Sequence, residues 1–177
     1  MLSIADTIED ENLFAASAVS RFLFMKYIEL TKGKRAVVDD EEYDTLNAFK
    51  WYAQKGGINF YACRRSYGKL IFMHRSIMCT PKGMETDHIN GDSLDNRRVN
   101  LRICTSSENH MNRGKNHRNT SGFKGVSFHK KNKKWIARIS IHGKYKHLGI
   151  YSTPNLAYEA YCDACLAHHG EFANIGK

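Results

Sequence analysis

Residues 85–102 read Glu-Thr-Asp-His-Ile-Asn-Gly-Asp-Ser-Leu-Asp-Asn-Arg-Arg-Val-Asn-Leu-Arg, and this polar stretch decides how the rest of the chain is interpreted. Asn90-Gly91 at its centre is a strong signal for a tight turn. We therefore predict one strand over residues 86–89 and a returning strand over residues 101–104. Thr105 or Ser106 is placed to cap a helix that follows. The stretch thus predicts a hairpin followed by a helix.

Three side chains of this predicted hairpin and helix have the chemistry of a hydrolytic metal site. Asp87 and Asn109 offer hard oxygen donors, which suit Mg²⁺ or Mn²⁺. His88, neutral near pH 7, can take a proton from water. A divalent ion beside a phosphate stabilises the charge that develops during hydrolysis. An alternative is that Asp87, Asn90 and Asn96 only cap turns and that His88 is a surface residue.

A longer pattern decides between these alternatives. Its segments are Asp87-His88-Ile89-Asn90-Gly91, Leu94-Asp95-Asn96-Arg97-Arg98, Asn100-Leu101-Arg102 and Asn109. This pattern resembles the HNH endonuclease motif, in the subclass found in phage and intron-encoded homing endonucleases. The resemblance implies a ββα-metal fold in which His88 is the general base and Asp87 and Asn109 are metal ligands. It also implies that Asn100 holds the loop that orients the base.

The C-terminal part of the chain has a different pattern, which predicts three strands and a helix. Residues 123–129, 135–142 and 144–151 alternate apolar and polar side chains, as half-buried antiparallel strands do. Thr153-Pro154 is a capping residue followed by a first-turn proline, and Gly170 is a stop signal. Small side chains then form a stripe that can lie on the apolar face of the sheet, namely Ala157, Ala160, Tyr161, Ala164 and Ala167.

Residues 122–175 resemble the ethylene-response-factor (Apetala-type) DNA-binding domain. The resemblance rests on Gly122-Phe123-Lys124-Gly125-Val126, Lys134-Trp135, Ala137-Arg138-Ile139, Leu148-Gly149-Ile150-Tyr151, Ala157-Tyr158, Ala160-Tyr161, Gly170 and Ala173-Asn174. In that family the sheet enters the DNA groove. The implied DNA contacts are Lys124, Ser127, His129, Arg138, Ser140, Tyr145 and His147.

Charge is spread unevenly and agrees with a polyanionic partner. The chain of 177 residues carries a formal net charge of +9, yet residues 1–48 hold ten acids against five bases. Between residues 113 and 146 there are eleven Lys or Arg and no acid. Such a stretch favours nucleic acid as the partner. Arg97, Arg98 and Arg102 are further candidate phosphate contacts.

These patterns divide the chain into an N-terminal extension (1–24), a nuclease region (25–112), a basic linker (113–121) and a C-terminal DNA-binding domain (122–177). The linker composition predicts an extended, mobile segment. Upstream of the motif, short strands are predicted over residues 27–31, 36–38, 58–63 and 70–74, with a short helix from Asp39 toward Trp51. The Cys162-x-x-Cys165 pair is expected to be buried against the sheet rather than to bind zinc.

The sequence therefore predicts an α+β protein that joins a ββα-metal (HNH) nuclease module to a three-stranded antiparallel sheet packed on one helix. We expect a homing-type endonuclease that nicks or cleaves double-stranded DNA with Mg²⁺ or Mn²⁺. It is expected to act in the cytoplasm of a bacterial or phage-infected cell, as a monomer or a DNA-induced dimer. Five cysteines at irregular spacings and no long apolar run exclude a disulfide scaffold and a membrane protein. The competing hypotheses are a DNA-binding transcriptional regulator without nuclease activity and, less well supported, an RNA-binding module.

Overall fold

The computed structural model describes residues 25–176, so the predicted N-terminal extension lies outside the described residues. The fold mixes α and β structure. The strands are β1 (Met25–Glu29), β2 (Arg35–Asp39), β3 (Tyr52–Gly56), β4 (Asn59–Ser66), β5 (Lys69–Phe72), β6 (Glu85–His88), β7 (Leu101–Cys104), β8 (Val126–His129), β9 (Lys134–Ile141) and β10 (Lys144–Tyr151). The α-helices are α1 (Asp40–Asn47), α2 (Met73–Ile77), α3 (Ser106–Asn112) and α4 (Pro154–His169), and short 3-10 turns include Arg98–Asn100 and Gly170–Phe172. In the described part of the chain, no helix has the length and apolar character needed to cross a membrane.

The chain divides into two compact units whose boundary runs through the polar motif. The first unit comprises the described residues up to Cys79 together with Asp92–Leu101, and the second comprises Thr80–Gly91 and the residues from Arg102 onward. The sequence instead predicted a boundary at the linker, residues 113–121. The division differs because the motif loop pairs with β2, whereas β6 and α3 pack with the C-terminal residues.

The first unit contains a β1–β2 hairpin and a three-stranded sheet in the order β3-β4-β5. Alternate residues of β2, Ala36 and Val38, are buried because successive side chains of a strand point to opposite faces. They share a core with Trp51, Ala62 and Met73. The predicted strands and α1 are present at shifted bounds. β3 was not predicted, because a strand with Ala53 as its only buried residue has no alternating apolar pattern.

The strand predicted over residues 70–74 was partly wrong. β5 ends at Phe72, and the chain turns at Met73 into the short helix α2. Met73 and His74 are both buried in that helix. Apolar and polar residues alternate there over too few positions to distinguish a strand from the first turn of a helix.

The motif loop, residues 92–101, is fastened to β2. The amide of Val37 donates to the Leu94 carbonyl and the amide of Asn96 donates to the Val37 carbonyl, both at 2.8 Å. Asn100 completes the loop, since its Nδ2 donates to the Asp95 carbonyl at 2.8 Å. The loop is therefore an ordered part of the first unit.

The second unit contains the β6–β7 pair, α3 and the C-terminal module, which we define as residues 122–176. The module has the predicted three-stranded antiparallel sheet in the order β10-β9-β8 and the predicted helix α4. Ala157, Tyr161 and Cys165 are buried at four-residue spacing against Ala137 and Ile139 of β9. Ala167, part of the predicted stripe, is exposed, because the buried stripe continues to His169 instead.

The predicted mobile linker is folded into turns in the structure. Asn119 Nδ2 donates to the Phe123 carbonyl at 2.8 Å, and Ser121 Oγ donates to the Val126 carbonyl at 2.9 Å. Lys115 Nζ donates to the Gly122 carbonyl at 2.9 Å. These contacts tie the segment to the start of the C-terminal module, although most of its side chains remain exposed.

Candidate active site

Three buried polar residues of the second unit, Asp87, His88 and Asn112, lie together at the end of β6 and the end of α3. The sequence folds this way because Thr105 starts α3 with a reciprocal capping box. Thr105 Oγ1 accepts from the Glu108 amide at 3.3 Å, and Glu108 Oε2 accepts from the Thr105 amide at 2.7 Å. A helix that begins at Ser106 places its last residue, Asn112, beside β6.

The amide of Asn112 lies among oxygen atoms. Its Nδ2 is 2.9 Å and 3.0 Å from the two carboxylate oxygens of Asp87. It also donates to the His88 carbonyl at 3.0 Å and to the Ile89 carbonyl at 3.4 Å. Four oxygen atoms therefore surround one point between β6 and α3.

An oxygen-only environment is what hard divalent cations prefer. Asp87 contributes a carboxylate. The Asn112 side chain, whose Nδ2 contacts that carboxylate, also carries an amide oxygen. Among residues 25–176 no group of three His, Cys, Asp or Glu side chains forms a metal centre. The donor set fits Mg²⁺ or Mn²⁺, with one carboxylate and amide or carbonyl oxygens rather than a carboxylate cluster.

Asn109, the predicted second metal ligand, lies elsewhere. Its Nδ2 donates to Glu85 Oε2 at 2.5 Å, and that hydrogen bond is the largest cause of the lowered pKa of Glu85. Ser106, His110 and Arg113 lower the same pKa further. The structure therefore brings Asn112 to Asp87, one helical turn beyond the residue that the motif pattern indicated.

Arg102 binds the Asp87 carboxylate from the other side. Its Nε and Nη2 donate to Asp87 Oδ2 at 3.0 Å and 2.8 Å. The side chains of both residues are mostly buried. Arg102, a predicted phosphate contact, thus has the Asp87 carboxylate as its partner in the structure.

The other two predicted arginine contacts are also paired with carboxylates, in the first unit. Arg97 Nε and Nη2 donate to the two oxygens of Asp95 at 2.7 Å and 2.6 Å. Arg98 Nε donates to Glu42 Oε1 at 2.7 Å, although the Arg98 side chain remains 53% exposed. The pairing argues against a phosphate role for Arg97 and leaves Arg98 as the accessible guanidinium.

Comparison with known proteins finds a local similarity at this site. Residues 80–111 match the family model described as HNH endonuclease. This stretch of the chain is therefore similar to an HNH endonuclease domain. The matched range contains Asp87, His88 and Asn109 and ends one residue before Asn112.

Two viral proteins are similar to parts of the chain. Protein 3.8 of Escherichia phage T7 is 39% identical over 64 residues, which are 36% of this chain and 53% of that protein, so the match spans about half of its length. A protein described as an uncharacterized HNH endonuclease, from Acanthamoeba polyphaga mimivirus, is 29% identical over 152 residues. That match covers 82% of this chain and 76% of the relative. No solved structure matches the chain significantly.

Downstream of the matched range, six of the seven predicted sheet contacts share one face of the C-terminal sheet. They are Ser127, His129, Arg138, Ser140, Tyr145 and His147. The strand register places Tyr145 opposite Ser140 and His147 opposite Arg138. α4 covers the opposite face, where Ala137 and Ile139 are buried. This outer face carries these polar side chains together with the apolar Ile136 and Ile150, which the register places on the same side.

Lys124 is the exception, and its predicted DNA contact is not supported by its position. Its Nζ donates to the Met111 carbonyl at 3.0 Å and to the Asn174 carbonyl at 2.7 Å. Burial lowers the pKa of this lysine. Lys124 joins the C-terminal module to the end of α3 instead of reaching solvent.

A groove of about 730 Å³ extends from α3 to the outer face of the sheet within the second unit. Its walls include His110 from α3, Arg113 and Asn116 from the following segment, and Ser140 and Tyr145 from the sheet. None of the described residues that line it is acidic. The groove can therefore accept an anionic chain.

Proposed function

We propose that this protein is a metal-dependent DNA endonuclease of the homing type, which hydrolyses a phosphodiester of double-stranded DNA. The observation that carries the proposal is the contact of the Asn112 amide with both the Asp87 carboxylate and the backbone carbonyl of His88, between β6 and α3. The HNH domain match over residues 80–111 and the viral relatives support it. The relatives come from a phage and a giant virus, which supports a place of action in the cytoplasm of an infected cell.

Each residue has a role in this proposal. Asp87 and Asn112 hold a divalent cation, Mg²⁺ or Mn²⁺, which when bound stabilises the charge on the attacked phosphate and the departing oxygen. His88 accepts the proton of the attacking water, as a general base. Asn100 fastens the motif loop through the Asp95 carbonyl.

The C-terminal module supplies DNA binding in the proposal. Its outer face presents Arg138, Ser140, Tyr145 and His147, residue types that contact bases or phosphates. A sheet face of this kind fits the ethylene-response-factor mode, in which strands enter the groove. The acid-free groove beside it, lined by Arg113 and Asn116, gives the sugar-phosphate backbone a path toward α3.

The test is relaxation of supercoiled plasmid by the purified chain with Mg²⁺ or Mn²⁺. We expect His88→Ala to lower the cleavage rate at least about 100-fold, because a positioned general base contributes about that much. His168→Ala is the matched control, since His168 is exposed at the end of α4. Equal cleavage by the wild type and His88→Ala would overturn the proposed mechanism.

Plasmid cleavage, together with a gel-shift measurement, distinguishes the nuclease hypothesis from a transcriptional regulator. A transcriptional regulator would shift a specific DNA fragment on a gel and would cut nothing at any metal concentration. A single site per chain predicts nicks, whereas two chains that meet on DNA would produce linear plasmid.

A further inference from the structure

We propose that Arg102 is a positioning residue for Asp87, and that the turn Gly170–Phe172 of the C-terminal module holds Arg102 in place. The C-terminal module would then be part of the catalytic site and not only a DNA anchor. The inference rests on the proposed function, in which Asp87 is a metal ligand. It concerns contacts that lie entirely within the second unit.

The first step is the orientation of the carboxylate. Both donors on one edge of the Arg102 guanidinium, Nε and Nη2, bind the same oxygen of Asp87, Oδ2. The other oxygen, Oδ1, lies 3.0 Å from the amide of Asn112. Arg102 thus fixes Oδ2, and the Asn112 amide lies within hydrogen-bond distance of both oxygens, at 2.9 Å from Oδ2 and 3.0 Å from Oδ1.

The second step is what fixes Arg102. Its remaining nitrogen, Nη1, donates to the Glu171 carbonyl at 2.6 Å. The guanidinium also lies 3.7 Å above the ring of Phe172, in a cation–π arrangement. A planar guanidinium can serve both partners at once, because its two edges present donors in fixed directions.

The third step is what fixes Phe172. This residue is buried in a small cluster with Cys104, at the end of β7, and Met111, in α3. Asn174 adds a second tie, since its Nδ2 donates to the Asn112 carbonyl at 2.7 Å. The segment after α4 therefore contacts both Arg102 and α3, the helix that carries Asn112.

The consequence is a chain of contacts from the C-terminal module to the metal ligand: Phe172 and Glu171 to Arg102, and Arg102 to Asp87. Outer partners that orient a metal ligand typically contribute 10- to 100-fold to metal affinity or activity. The turn should accordingly influence the chemical step without touching DNA.

The experiment compares Arg102→Lys, Phe172→Leu and the double variant in the full-length chain. Lysine keeps the charge but lacks the two-edged donor arrangement, and leucine keeps the apolar volume but lacks the ring face. Cleavage is measured in single turnovers at saturating DNA and Mg²⁺, and DNA affinity is measured without metal. We expect Arg102→Lys to slow cleavage at least about tenfold and Phe172→Leu about threefold or more, with DNA affinity changed less than about twofold.

The double variant distinguishes action through Arg102 from a general structural effect. If Phe172 acts through Arg102, Phe172→Leu has no further effect in the Arg102→Lys background, because coupled residues are not additive. Arg35→Lys is the matched control, since Arg35 also lies over a ring, that of Tyr27 in the first unit. Losses that multiply in the double variant, or wild-type cleavage by both single variants, would overturn the proposal.

A measurement that needs neither metal nor DNA completes the test. The Nε–H of Arg102 should exchange slowly with solvent in nuclear magnetic resonance spectra, because it is hydrogen-bonded to Asp87 and mostly buried. Phe172→Leu should speed that exchange about tenfold or more while the thermal unfolding transition persists. Unchanged exchange would overturn the proposal. If the wild type cuts no DNA, the proposed function fails, and this exchange measurement still decides whether the turn holds Arg102.

Discussion

At the scale of single residues, Asn109 and Asn112 show how closely spaced side chains on a short helix take different roles. They are three positions apart in α3, near enough that both lie toward β6. Asn109 meets Glu85 at the start of β6, whereas Asn112 meets Asp87 two residues further along the strand. The number of residues between Asp87 and each asparagine did not indicate which of the two contacts Asp87.

We expect Asn112→Ala to abolish metal-dependent cleavage, about 100-fold or more, because it removes the amide beside Asp87. Asn109→Ala should reduce cleavage less than about tenfold, since it removes only a hydrogen bond to Glu85. Mn²⁺ binding to the chain without DNA checks the same difference. The reverse ranking, with Asn109→Ala the inactive variant, would restore the ligand that the motif pattern indicated.

At the scale of elements, the C-terminal helix approaches its sheet closely at Gly125. A Cβ on Gly125 would overlap the ring of Tyr161, and its backbone has a φ of +74°. Gly122 has a similar φ of +83°, but a Cβ there meets nothing within 4 Å. The two glycines therefore separate steric overlap from backbone strain.

Gly125→Ala should lower the free energy of unfolding by about 3 kcal/mol, from strain plus overpacking, and Gly122→Ala by about 1 kcal/mol, from strain alone. Denaturant titration of both variants measures the difference. Equal losses would mean that the helix relaxes away from β8 at little cost.

The end of α4 makes the stability of this element depend on pH. His169 Nε2 lies 2.8 Å from the Ser140 carbonyl, and burial lowers the pKa of His169, with Lys124 and His168 nearby lowering it further. The unfolded chain therefore binds a proton more readily than the folded chain. The stability that neutral His169 provides is complete above its ordinary pKa of 6.5 and is lost as the pH falls from there toward the lower folded value.

We expect the thermal unfolding midpoint of the wild type to decrease as the pH is lowered from about 7.5 to about 5.5. His169→Gln should show a smaller decrease over the same range. The lowered pKa of Glu85 gives stability that is complete above its ordinary pKa of 4.5 and is lost only as the pH falls below that value, so Glu85 does not cause this change. An identical pH profile for both chains would show that His169 titrates normally.

At the scale of the whole molecule, charge and not shape alone favours DNA. The net charge of +9 combines an acidic first segment with an acid-free stretch between residues 113 and 146. Carboxylates already hold Arg97 and Arg102, whereas Arg138 is exposed on the outer face of the sheet. Only exposed side chains such as Arg138, which are unpaired among the described residues, can contact phosphates and release counterions from DNA.

DNA affinity, measured without divalent metal, should therefore fall steeply as salt rises. Arg138→Ala should reduce the slope of log affinity against log salt by about 1, the amount for one phosphate contact. Arg97→Ala is the control and should leave the slope unchanged, because its guanidinium is bound to Asp95. A reduced slope for Arg97→Ala alone would place the DNA on the motif loop instead of the sheet.

The sequence by itself determined those features whose causes are local. Asn90-Gly91, the Thr105 cap and the Thr153-Pro154 start act within a few residues, and they placed β6, β7, α3 and α4 within one or two positions of where they lie. Alternation in β9 likewise predicted which side chains share the outer face.

The tertiary structure decided the features whose partners are far away in the chain. The Arg98 amide binds Asp39 at a separation of 59 residues, and Arg102 binds the Glu171 carbonyl at a separation of 69. An isolated arginine in a motif resembles a phosphate contact until its carboxylate is known, and adjacent turns of a helix are equivalent until a strand packs against one of them. Local physics therefore specified the elements and the candidate chemistry, while long-range packing selected which side chains meet.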